Sequence, residues 1–205
     1  MEYYIHHIPV FLLAPTEGAS IPDFCSAAEG LFNSPELLSQ VDVVYVGNLR
    51  ELGDRNATYA NGGIYITNQE KTVEDMLENF VHEVAHSLED VYGPEIYTEN
   101  LINEFKAKRH RLCEILKAHG YSVSEPLCTF TEYSRAFDEF LSNEVGYPTL
   151  LSLTMGLFVS PYGATSIQEY YANGFEKYYL EDPMYVRKIS PVLYEKIEGI
   201  INDAA

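Results

Sequence analysis

The sequence predicts an α+β fold with its sheet near the N-terminus. Three observations carry that expectation. β-Branched and alternating runs are confined to the first third, Asn61-Gly62-Gly63 supplies a hairpin signal at their end, and helical periodicity dominates the remainder. With 205 residues, 46% of them hydrophobic, the chain can bury a substantial core. It is expected to form a single domain over 1–205, with a sheet and one long helix in 1–92 and a helical lobe in 93–205.

Residues 3–13 read as a strand. Glu2 precedes this run and no Lys or Arg does, so it lacks the basic start of a secretory signal, and it is too short to span a bilayer. The expectation is a soluble protein, either cytoplasmic or exported by a non-Sec route. Residues 22–40 read as one or two helical pieces broken near Asn33-Ser34-Pro35. The run 41–47 is a β-branched strand, and 57–68 is a hairpin turning at Asn61-Gly62-Gly63. Helices are expected at 72–91, 97–118, 133–144, 166–180 and 184–202, with an apolar stretch at 149–158. The chain contains no internal repeat, low-complexity segment or Gly/Ser linker.

The charge balance narrows the partners. Thirty-one acids against 13 bases give a formal net charge of -18. Such a surface repels phosphate backbones and anionic lipid heads, which argues against nucleic acid and membrane surfaces, and it favours basic peptides or a divalent metal. Solubility alone is the plainer account of the same charge. Cys25, Cys113 and Cys128 are too scattered for a disulfide framework or a CxxC metal site. They read as buried free thiols, suited to a reducing compartment.

The chemistry concentrates in FVHEVAHSLED, residues 80–90. Thr72 with Asp75 three positions on marks a helix start, and Gly93-Pro94 marks a stop. Between them Val73, Met76, Leu77, Phe80, Val81, Val84 and Leu88 form one apolar stripe, and His82 and His86 fall almost opposite its centre. Residues four apart on a helix sit one above the other, so the two imidazoles can converge on one ion. Glu83 is turned to one side, near the ion without ligating it. A catalytic zinc takes three protein ligands and keeps one position open for water, and a carboxylate beside that water can accept its proton. The alternative is an exposed polar helix face.

A metal site needs a third ligand. His6 and His7, adjacent on the expected strand, would point to opposite faces. His110 lies among Lys106, Lys108, Arg109 and Arg111, a run that otherwise reads as a solvated helix face, and His119 suits a helix C-terminus. Glu169, in SIQEYYANGFEKYYLEDP, is the better candidate. Ser166 caps this helix, and an acid among its bulky packing residues is costly unless paired or metal-bound. A helix-start acid stabilised by the dipole would look the same.

HEVAHSLED followed by YGATSIQEYYANGFEKYY resembles the catalytic domain of the anthrax lethal factor family, gluzincin metallopeptidases with a zincin-like fold. That family carries HExxH, then a glutamate ahead of two aromatics and an alanine, with a tyrosine seven residues before that glutamate. Tyr162, Gly163 and Thr165 stand in this register. The likeness covers roughly 57–180, although only the two motifs are specific. It implies that His82, His86 and Glu169 bind one zinc, that Glu83 is the general base, and that Tyr162 stabilises the oxyanion or assists the departing amine. A phenol suits that task as a neutral donor, although Tyr162 in its Pro-Tyr-Gly turn also reads as a packing residue.

The chain departs from the family where relatives carry an acid that orients a zinc histidine. Asn173 stands there, its carbonyl able to accept an imidazole N–H, and Gly174 then weakens the helix by about 1 kcal/mol relative to Ala. The stretch 93–150 reads as an added helical region. Asp90, four residues after His86, is a further candidate to orient it. GGIYIT, with Gly63, Ile64 and Tyr65, occupies the place of an exposed edge strand that pairs with an extended peptide, or is simply an edge strand. The expected activity is a zinc-dependent endopeptidase acting on peptides, basic ones by charge. The rivals are a non-catalytic zincin-like binding protein, a different zinc hydrolase such as a deformylase, and a coincidental HExxH. A deformylase needs a cysteine ligand in a Gly-Cys-Leu-type loop, which none of the three cysteines provides.

Overall fold

In the computed structural model, which describes residues 2–204, strands β1 (Tyr3–Ile5), β2 (Ile8–Leu12), β3 (Val43–Val46), β4 (Ala57–Ala60) and β5 (Gly63–Ile66) form one sheet. Its order is β1-β2-β3-β5-β4. β2 pairs in parallel with β3 and β3 with β5, whereas the flanking pairs β1/β2 and β4/β5 are antiparallel. The expected hairpin is present, with Asn61 at φ 50° and Gly62 at φ 79° making its two-residue turn.

The single strand expected at 3–13 is itself a hairpin. Ile5 faces Ile8 across a turn in which His6 takes φ 53°. Neither Gly nor Asn announces this turn. Contacts from α1 (Ile21–Leu31) and just beyond it hold the strained histidine: its backbone N–H donates to Glu29 Oε1 at 2.6 Å, and its Nε2 lies 2.8 Å from the Phe32 carbonyl. His6 and His7 therefore do not alternate along a strand.

One sheet face supplies core residues Ile8, Val10, Val44, Val46, Ile64 and Ile66, all buried. Helix α2 (Val73–Ile96) buries Met76, Phe80, Val81, Val84 and Leu88 from the predicted stripe. The edges of Phe24 and Phe32 meet the Phe80 ring at centroid distances of 5.6 and 6.0 Å. Thr72 Oγ1 accepts the Asp75 N–H at 3.0 Å, as the capping signal requires. The stop is misplaced, because α2 runs through Gly93 and Pro94 to Ile96. Pro94 lacks the N–H of that turn and crowds the carbonyl four residues before it, yet the helix continues to Ile96, which is fully buried.

The described residues divide into two compact units. One comprises the residues up to Gly93 together with those from Ile200 onward, and the other is Pro94–Gly199. The second unit is built on helices α3 (Glu99–Ala118), α4 (Glu125–Thr129), α5 (Arg135–Glu139), α6 (Tyr147–Thr154), α7 (Ile167–Leu180) and α8 (Pro183–Ile189), with most of α9 (Pro191–Asp203). A π-helical turn, Phe140–Val145, extends α5, and a 3₁₀ turn, Tyr162–Ala164, precedes α7. The helix expected at 184–202 breaks at Pro191, which cannot continue the hydrogen-bond ladder of α8. Glu104 then accepts the free amides of Val192 and Leu193 at 3.0 and 3.2 Å.

Two further expectations need correcting. Cys113 and Cys128 are not free thiols but a disulfide with a Cα–Cα distance of 6.0 Å. The reversal after α3, with Gly120 at φ 88°, brings them together without a recognisable spacing, and the argument for a reducing compartment falls with it. Cys25 alone is free, and its burial pushes the thiol up to about 11. The basic run at 106–111 is not wholly a solvated face. Arg109 is buried, and Lys108 Nζ donates to the Leu157 and Ile189 carbonyls, both at 2.7 Å. Among the described residues, no helix is long and apolar enough to cross a membrane.

Candidate metal centre

Helix α2 places His82 and His86 one turn apart, with their ring centroids 4.9 Å apart and Nε2 3.2 Å from Nε2. Two nitrogens bound about 2.0–2.1 Å from a tetrahedral zinc would lie about 3.3–3.4 Å apart. The spacing therefore suits a shared ion. On α7, Ser166 Oγ accepts the Glu169 N–H at 3.1 Å and fixes the helix start that carries this carboxylate. One ligand atom from each of His82, His86 and Glu169 lies within 4.8 Å of the others. Two imidazoles and a carboxylate, all half-buried, could hold a metal ion, and this nitrogen-oxygen set suits zinc better than calcium or magnesium.

The partner of His86 is not the one expected. Glu89 Oε1 lies 2.7 Å from His86 Nδ1, which would leave Nε2 as the nitrogen available to a metal ion. Asp90 instead accepts the Tyr59 hydroxyl at 2.8 Å. On a helix i+3 and i+4 are both neighbours, and sequence spacing alone did not separate the two acids. Glu83 is 7% exposed, and its Oε2 accepts the backbone N–H of Tyr59 on β4 at 2.6 Å. Tyr59 thus joins the site through its main chain, a contact that no side-chain pattern announces.

Asn173 is also reassigned. Its Nδ2 donates to the Glu169 carbonyl at 2.8 Å, and its Oδ1 accepts the Ser160 hydroxyl, so it does not serve as an imidazole acceptor. Ser160 Oγ in turn accepts the Gly163 N–H at 3.2 Å. The amide therefore ties the turn bearing Tyr162 to the helix bearing Glu169. Burial first, then the charges of Glu169 and Asp138, holds the Tyr162 phenol well above its ordinary range. Asp138 accepts the hydroxyls of Tyr133 at 2.8 Å and Tyr147 at 3.3 Å, and burial with this carboxylate pushes Tyr147 up to about 12.

The expected substrate strand has no open edge. β5 is hydrogen-bonded to β3 on one side and β4 on the other, so Gly63, Ile64 and Tyr65 cannot pair with a peptide. Ile64 is core. Tyr65 stacks on Tyr45 at 5.4 Å, and a Cβ on Gly63 would meet the Tyr65 ring at 3.0 Å. The hairpin signal located the pair of strands, but it did not say which of them is outermost. That strand is β4.

No protein-family profile matches this chain, and no curated protein or solved structure matches it either.

Proposed function

We propose that the chain is a zinc-dependent endopeptidase of gluzincin type, with a zincin-like fold resembling that of the lethal factor family. The observation that carries this reading is the convergence of His82, His86 and Glu169 beside a buried Glu83. Zinc bound by those three residues would supply Lewis acidity, lowering the pKa of water toward about 7 and polarising the scissile carbonyl.

The remaining chemistry belongs to the chain. Glu83 accepts the proton of the attacking water and returns it to the leaving nitrogen. The Tyr59 N–H holds that carboxylate at Oε2. The Tyr162 phenol donates to the oxyanion as it forms, and its raised pKa keeps the donor proton in place. An extended peptide would add to the outer side of β4, and a surface with net charge -18 favours basic sequences.

The test is Glu83→Gln with metal analysis. The expected outcome is about one zinc per chain in both proteins, peptide-library cleavage by the wild type, and none by the variant. Full activity in the variant would remove Glu83 as the base. Bound zinc with no cleavage by the wild type would favour the binding-only alternative.

A further inference from the structure

Arg109 is a buried cation with no role in the chemistry above. It is 2% exposed, its guanidinium lies 4.1 Å from the Phe137 ring centroid and 5.2 Å from that of Phe105, and its Nε makes no hydrogen bond among the described residues. Burial depresses its pKa to about 9, which still leaves it charged at neutral pH. Keeping such a group from water is costly, and an apolar residue would avoid the cost.

The two hydrogen bonds of its fork show what the group holds. Nη1 donates to the Leu127 carbonyl at 3.1 Å, and Nη2 donates to the Thr165 carbonyl at 2.8 Å. Thr165 ends the turn that bears Tyr162: its N–H and Oγ1 both donate to the Tyr162 carbonyl, at 2.9 and 2.8 Å. The next residue, Ser166, caps the helix of Glu169. Leu127 is anchored in turn, because Cys128 beside it is bonded to Cys113, one turn along α3 from Arg109. The same segment returns to α7 where Thr131 accepts the Ile167 N–H at 2.8 Å. Arg109 and the disulfide grip one short segment from the same face of α3.

We propose that Arg109 is a positioning residue that fixes Tyr162 and Glu169 together, using the disulfide-anchored α4 segment as its support. The proposal rests on the peptidase reading. The guanidinium makes its two bonds from separate nitrogens held in one rigid plane, whereas a lysine ammonium must make them from a single nitrogen on a flexible stem and cannot hold both carbonyls at the same separation.

The experiment compares wild type with Arg109→Lys, measuring kcat and KM on a cleaved library peptide, zinc affinity by competition with a chromogenic chelator, and amide exchange at Gly163–Thr165. The lysine variant should lose about ten- to a hundredfold in kcat and in zinc affinity, with KM little changed and faster exchange in the turn. The double variant Cys113→Ser, Cys128→Ser should move the same quantities in the same direction, which covers the case of Arg109→Lys failing to fold. Wild-type kcat and zinc affinity in Arg109→Lys, or in the serine pair where the lysine variant does not fold, would overturn the proposal. If wild type cleaves nothing, the peptidase reading fails, and zinc affinity alone then decides whether Arg109 positions Glu169.

Discussion

At the residue scale, the expected chemistry turns on whether Tyr162 remains a proton donor throughout the working pH range. Burial is the main reason its pKa rises, and Glu169 and Asp138 add to the effect. A free phenol titrates near pH 10, so a raised value keeps Tyr162 protonated through neutral and mildly alkaline conditions. Any alkaline limb of the pH-rate profile below about pH 10 must therefore belong to another group. Tyr162→Phe should lower kcat by about a hundredfold, in the range for one oxyanion donor, while zinc affinity and the alkaline limb stay put. If that limb disappears in the phenylalanine variant, Tyr162 titrates inside the working range and the donor argument fails. The same scale shows what residue types alone could reveal. HExxH and the capped Glu169 stood in the sequence because their spacing follows from one helix geometry. Glu89 could have been found only by weighing i+3 against i+4, and the Tyr59 amide had no signal at all, since every residue but proline carries one.

At the element scale, the helical stripe of α2 and the Asn61-Gly62 turn were legible because they are local. Failures came where one element meets another. The interior position of β5 and the Cys113–Cys128 pairing depend on long-range neighbours, and so does the choice of Asp90's partner. Gly174 belongs to this group. In sequence it looked like a weak point in α7, whereas in the structure it lets α9 approach. A Cβ there would lie 2.4 Å from Leu193 Cδ2 and 2.9 Å from its Cγ, and Leu193 is fully buried. Gly174→Ala thus sets a helix-propensity gain of about 1 kcal/mol against an overpacking cost of about 1–3 kcal/mol. The buried Leu193 side chain can yield only by moving against its own neighbours, so overpacking should win and the melting temperature should fall. A thermal scan showing Gly174→Ala more stable than wild type would mean that Leu193 yields easily.

At the scale of the whole molecule, the acidic balance outlasts every local detail. With 31 acids and 13 bases, the field attracts cations before any contact forms, and added salt weakens that attraction because the Debye length shrinks to about 8 Å at physiological ionic strength. Asp138, held by two tyrosine hydroxyls and electrostatically coupled to Tyr162, keeps negative charge close to the proposed reacting groups as well. Charge at a distance acts on encounter, whereas charge in the site also acts on the bound peptide, so salt separates the two. For a peptide rich in Lys and Arg, kcat/KM should fall steeply as salt is raised, and for a neutral peptide of the same length it should change little. If salt leaves the basic peptide unaffected while its preference persists, recognition is confined to contacts such as Asp138, and the global charge serves solubility alone. A library preference for acidic peptides would contradict both accounts, because neither the field nor the site offers such a substrate a favourable approach.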